Sequence, residues 1–151
     1  IGGAPCPDFS VGGKNRGREG DHGKLSSVYV DIICQHQPDF FLFENVEGLW
    51  KTKKHRAFYE EIKQKLHKTG YVTTERLVNA VEYGVPQDRN RIILIGFRKE
   101  MLIGMGIALD GLDLPPGVFP WEKYIIYPKV KVFSCPWSRK HPFQELSLIH
   151  I

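Results

Sequence analysis

Four apolar residues in succession, Phe40 to Phe43 in the stretch FFLFENV, run into Glu44 and Asn45, with helical periodicity on either side. A continuous apolar run of this length marks a short strand of the kind buried on both faces of a parallel sheet, here cut off at Glu44. Upstream, Leu25, Val28, Tyr29, Ile32 and Ile33 recur at helical spacing, with Ser26 or Ser27 as a nearby cap and Pro38 as the stop. Downstream, Phe58, Ile62 and Leu66 lie four apart in a helix expected from about Lys54 to Thr69, closed by Gly70. Tyr71 to Ala80 and Arg91 to Arg98 then read as two strands joined by the turn region VEYGVPQDRN. With a strand ending at Ile1 to Gly3, the order strand, helix, strand, helix, strand, strand predicts an α/β sheet.

A chain of 151 residues that is 42% hydrophobic and 25% charged is about one domain long and supports an ordinary core, which argues against disorder. The cysteines Cys6, Cys34 and Cys135 are too widely spaced for a zinc knuckle, are odd in number and follow no signal peptide. They point to a reducing cytoplasmic setting without a metal site. No apolar run approaches the roughly 20 residues that span a bilayer, so membrane roles are set aside. The net charge of +4 favours a polyanionic partner. Its basic residues cluster as Lys14, Arg16 and Arg18 in a glycine-rich loop, as Lys51 to Arg56 before a helix, and as Arg89 and Arg91 beside a strand. For Lys51 to Arg56 a solvated face is the plainer reading.

Past Lys99 the texture changes to glycines, then prolines and aromatics, as in DLPPGVFPWEKYIIYP, with little periodicity. A boundary is expected near residue 100, with residues 1–99 as the compact α/β region and residues 100–145 as another module or a cover segment. There are no internal repeats. Ile1 reads as the tail of a strand begun upstream, and the closing LSLIHI, residues 146–151, as a non-native tail resembling a translated sequencing-library adapter.

Cys6 stands between Pro5 and Pro7, which lock two backbone torsions and make a stiff loop that aims the thiol. From Phe9 to Gly23 follow five glycines (Gly12, Gly13, Gly17, Gly20 and Gly23) without hydrophobic period, as expected of a long functional lid. Open α/β sheets bind ligands beyond the carboxyl ends of their strands, so Cys6 and Glu44 meet on one edge if their strands are neighbours. A thiolate there is helped by Arg89, Arg91 or a helix start; the bland alternative is a structural cysteine in a turn. Glu44, placed after four apolar residues, is expected to lose solvation and hold a proton for donation, or else to order a cap or loop. Asn45 can bond to backbone in either case. In QDRNR, Gln87, Arg89 and Arg91 alternate on entering a strand and are expected on one face, suited to phosphate or carboxylate or to a surface ion-pair ladder.

GGAPCPDFS, FLFENVEGL and VEYGVPQDRNRIILIGFR, in this order and spacing, resemble the DNA (cytosine-5) methyltransferases of bacterial restriction-modification type over about Ile1 to Arg98. The resemblance implies the carboxyl-terminal part of a Rossmann-like, S-adenosylmethionine-dependent catalytic domain, with residues 100–145 leading into the target-recognition region. It implies that Cys6 attacks carbon 6 of a cytosine flipped out of duplex DNA, while Glu44 holds ring nitrogen 3. Arg89 and Arg91 would fix Glu44 and the base or a phosphate. Lys14, Arg16, Arg18 and Gln87 would lie against DNA, and Pro5 and Leu25 match positions that touch the cofactor. A cognate restriction endonuclease is the implied partner.

The chain departs from the family pattern at Pro7, where glutamine is usual, and lacks the Phe-x-Gly-x-Gly cofactor loop, the acidic residue that binds the ribose and the closing motifs. The 151-residue polypeptide alone is therefore expected to give no radiolabelled methyl transfer. Three alternatives stand beside this reading. A transfer-RNA-methylating relative tends to carry a Cys-Phe-Thr signature not found here, a catalytically dead DNA-binding relative would not need Cys6, Glu44 and Arg91 together, and a thiol hydrolase would have only His22 near Cys6 in sequence.

Overall fold

A computed structural model of the chain describes residues 1–3, 21–123 and 125. The elements run α1 (Asp21–His36), β1 (Phe40–Val46), α2 (Glu47–Lys51), α3 (Lys53–Lys68), β2 (Tyr71–Asn79), β3 (Asn90–Arg98) and α4 (Lys99–Gly104), with a 3₁₀ turn at Ala80–Tyr83. The strand order is β1-β3-β2, and β1 runs antiparallel to β3, from Phe40 opposite Phe97 to Val46 opposite Arg91. On the edge of β1 away from β3, Gly2 pairs in parallel with Phe43. The result is the mixed α/β sheet that the element order predicts.

These residues form two compact units, one of Ile1–Leu77 with Arg91–Phe119 and one that includes Val78–Asn90. In the first, Phe41 and Phe43 of β1 are buried with Ile92 and Leu94 of β3 and Tyr71 of β2 against Val30, Ile33, Phe58, Tyr59, Ile62 and Leu66 of α1 and α3. The opposite face carries a smaller cluster of Val72, Leu102 and Leu114, closed by the pairing of Thr73 with Asp113. In the second unit, the Asn79 amide donates to Asp88 (2.7 Å) and Asn90 (2.9 Å), tying together the segment between β2 and β3.

Several local expectations change. The apolar run of β1 is not buried on both faces: Phe41 and Phe43 are covered while Phe40 is 56% exposed, because the strand lies at the edge of β3 and alternates. It also continues through Glu44 to Val46. Helix α1 starts at Asp21, so the end of the expected loop belongs to it, and Ser26 is buried inside the helix instead of capping it. That helix buries Ser26, Val30 and Ile33, leaving Leu25, Val28 and Ile32 exposed, because apolar residues occupy both sides and periodicity alone does not choose between them. It stops as expected before Pro38, with Gln37 in the left-handed region and its N–H bonded to Ile33 O at 2.8 Å.

Candidate active site

The site is built on the edge of β1 away from β3. Gly2 N donates to Leu42 O (2.9 Å) and Glu44 N donates to Gly2 O (3.0 Å), so the backbone at Gly2 is the parallel neighbour of the strand bearing Glu44. Paired residues project to the same side of a sheet, which puts Gly2 on the face of Phe43 and Gly3 on the face of Glu44. A Cβ on Gly2 would stand 2.2 Å from the Tyr29 ring, and one on Gly3 2.8 Å from Glu44 Oε2. Tyr29 is held over Gly2 by stacking on Phe43 (centroids 5.9 Å apart) and by donating its hydroxyl to Leu42 O at 2.9 Å. Burial raises its phenol above the ordinary value, so it remains a donor at neutral pH.

Across β3, Glu44 stands opposite Ile93, and Arg91 lies two residues away on the same face, within diagonal reach. Arg91 Nε donates to Glu44 Oε1 at 2.7 Å, a charge-assisted contact. The two side chains keep 21% and 35% of their surface exposed, so the pair faces an accessible edge and not the core. One carboxylate oxygen is thus fixed by a guanidinium and the other lies over the Gly3 backbone. A carboxyl group held this way can hydrogen-bond a ring nitrogen and follow its protonation.

Asn45, next along β1, turns to the other face and is 1% exposed. Its Oδ1 accepts from Val46 N at 2.8 Å, the backbone bond expected of it, while its Nδ2 has no partner among the described residues.

Of the residues singled out in the sequence, Glu44 and Arg91 are brought together. Arg89 and Gln87 precede β3, which begins at Asn90, so the regular strand on which their alternation with Arg91 was expected does not include them. Both are exposed; Gln87 N bonds to Val85 O (2.7 Å) within a tight turn, and Arg89 O accepts from Ala80 N (3.1 Å). Leu25 lies on α1 with 43% of its surface exposed, apolar area available to a ligand. Pro5, Cys6, Lys14, Arg16 and Arg18 lie outside the described residues. Among the described residues there is no cluster of His, Cys, Asp and Glu fit to hold a metal ion, and no helix is long and apolar enough to cross a membrane.

Sequence reasoning missed Gly3 and Tyr29 as parts of the site. The paired glycines Gly2 and Gly3 were a visible signal, but their different neighbours depend on the register with β1, which no local pattern states.

The family model described as C-5 cytosine-specific DNA methylase matches residues 1–123. The chain is 54% identical over 128 residues to the type II methyltransferase M.NmeDI of Neisseria meningitidis serogroup C, covering 85% of this chain and 28% of that protein. It is 46% identical over 119 residues to the type II methyltransferase M.XorII of Xanthomonas oryzae pv. oryzae, covering 78% of this chain and 26% of that one. It therefore spans little more than a quarter of the length of either relative. Among solved structures, one titled as a DNA modification methyltransferase encoded within an E. coli prophage aligns with a TM-score of 0.54 at 28% identity, over 67% of this chain and 26% of that chain. The Entamoeba histolytica methyltransferase EhMeth aligns with a TM-score of 0.51 at 17% identity, over 64% of this chain and 30% of that chain, a likeness of fold.

Proposed function

The chain belongs to the C-5 cytosine-specific DNA methylase family, and from that premise we propose that it forms part of an enzyme that methylates carbon 5 of cytosine in duplex DNA. The observation that carries this is the Glu44–Arg91 pair at 2.7 Å beside the parallel Gly2–Phe43 pairing. Cys6 follows Gly3 by three residues, a length of chain that reaches at most about 11 Å, so a thiol on that tether has the Glu44 carboxylate within range.

In the reaction, the Cys6 thiolate adds to carbon 6 of a cytosine extruded from the stack, since that atom is inaccessible inside a duplex. The electron pair displaced from the 5,6 double bond is stabilised as ring nitrogen 3, hydrogen-bonded by Glu44 in the orientation set by Arg91, takes up a proton from water when the thiolate adds and returns it when the thiolate leaves. Carbon 5, now enamine-like, takes the methyl group; loss of its proton to a base and departure of the thiolate restore the ring. The family implies S-adenosylmethionine, which supplies an electrophilic methyl group when bound. Leu25, with its exposed apolar side chain, fits one contact to it, and Pro5 is proposed as another.

Lys14, Arg16, Arg18, Gln87 and Arg89 are assigned to the DNA, where phosphate contacts dominate affinity. Residues 100–145 lead into the part that reads the target sequence. The type II names of the relatives favour a cytoplasmic restriction-modification enzyme with a cognate endonuclease, and favour DNA over transfer RNA. Incubating the intact protein with labelled methyl donor and either duplex DNA or transfer RNA tests this: label is expected as 5-methylcytosine in the duplex. Label in transfer RNA only, or as a methyl on the exocyclic nitrogen, contradicts it.

A further inference from the structure

Glu44 turns its carboxylate into space that Gly3 leaves open. A Cβ on Gly3 would stand 2.8 Å from Glu44 Oε2, but 3.7 Å from the Glu44 carbonyl oxygen and 3.8 Å from Glu44 Cβ. Only the first contact is closer than packed atoms come, and it involves the far end of a flexible side chain. Gly3 is not among the residues in the left-handed region, so its backbone accepts an L side chain without strain. A methyl group at position 3 is therefore accommodated by swinging the carboxylate aside, at little cost to folding. The swing takes Oε1 away from Arg91 Nε, with which it now pairs at 2.7 Å. At Gly2 the obstacle is instead the anchored Tyr29 ring, which has no such freedom.

We propose that Gly3 is a positioning residue for Glu44. The missing side chain selects the Glu44 rotamer that bonds Arg91 through Oε1 and leaves Oε2 as the oxygen available to the flipped base. This rests on the methyl-transfer reading above. Proton transfer needs heavy atoms within hydrogen-bond reach in the transition state, and a misplacement of about 1 Å costs on the order of 100-fold in rate.

The test is Gly3→Ala in the intact protein, alone and combined with Glu44→Ala. Measurements are the melting temperature, kcat and KM for methyl transfer to duplex DNA, and the NMR resonance of the Arg91 Nε–H. For Gly3→Ala, kcat is expected to fall on the order of 10–100-fold with KM for DNA within about twofold, as for an interaction made in the transition state. The melting temperature should stay near that of the parent, and the Arg91 resonance should move upfield as its bond to Glu44 is lost. In the Glu44→Ala background, adding Gly3→Ala should change the rate no further. An equal loss with and without Glu44, or an unchanged Arg91 resonance, overturns the proposal. A parent protein that transfers no methyl group defeats the methyl-transfer reading instead, and the Arg91 resonance still decides whether Gly3 places Glu44.

Discussion

The Tyr29 ring over Gly2 is fixed by its hydroxyl bond to Leu42 O and by the Phe43 ring beneath it. Gly2→Ala must displace that ring, so it is expected to destabilise the protein by about 1–3 kcal/mol, as overpacking does. Urea denaturation checks this: the midpoint should drop with the slope unchanged, and an unshifted midpoint would mean that Tyr29 yields freely. Gly2 and Gly3 thus differ in kind, one limiting stability and the other the placement of a carboxylate. Adjacent identical letters do not carry that distinction. That an arginine of QDRNR would stand beside Glu44 was legible and is met by Arg91, while the start of the strand at Asn90, after Gln87 and Arg89, was not.

Helices α2 and α3 are joined to β2 through Glu75. Its carboxylate accepts from the Tyr59 hydroxyl (2.6 Å) and Trp50 Nε1 (3.3 Å) and pairs with Lys63 at 3.3 Å. Burial alone would raise this carboxyl, but the Tyr59 bond, the charge of Lys63 and the Trp50 bond bring it below the ordinary value of 4.5. A lowered folded-state pKa means stability that is fully present above the unfolded value of 4.5 and lost as pH falls through the lower folded value. Glu75→Ala leaves the buried Tyr59 hydroxyl without its acceptor. It should cost about 1–3 kcal/mol at pH 7 and flatten the acid limb of a melting-temperature profile, whereas a limb of unchanged steepness would exclude Glu75 as its source. Below about pH 6.5, His67 acts in the same direction. Its imidazole, lowered chiefly by burial, stays neutral in the fold while the unfolded chain takes up a proton, so stability falls with pH there. Helix α3 was readable from Phe58, Ile62 and Leu66, all buried, because one face alone is apolar. Helix α1 was equally readable as a helix, but its buried face was not, since Leu25, Val28 and Ile32 compete with Val30 and Ile33 for the inside. The Glu75 contacts join residues 12 to 25 positions apart, beyond any local period.

For the molecule as a whole, the α/β order followed from the alternation of periods along the chain, but the antiparallel pairing of β1 with β3 did not, since a short apolar run is compatible with either direction. The adjacency on which the site depends, the opening residues running parallel beside β1, was conditional in the sequence and is met by Gly2 and Phe43. The most direct test of the account is a duplex carrying 5-fluorocytosine at the target position, incubated with the intact protein and methyl donor. Fluorine cannot be lost as the proton is, so a covalent intermediate persists. A stable protein–DNA adduct is predicted, mapping by mass spectrometry to the peptide that contains Cys6 and disappearing with Cys6→Ala. No adduct, or one attached at Cys34 or Cys135, would contradict it.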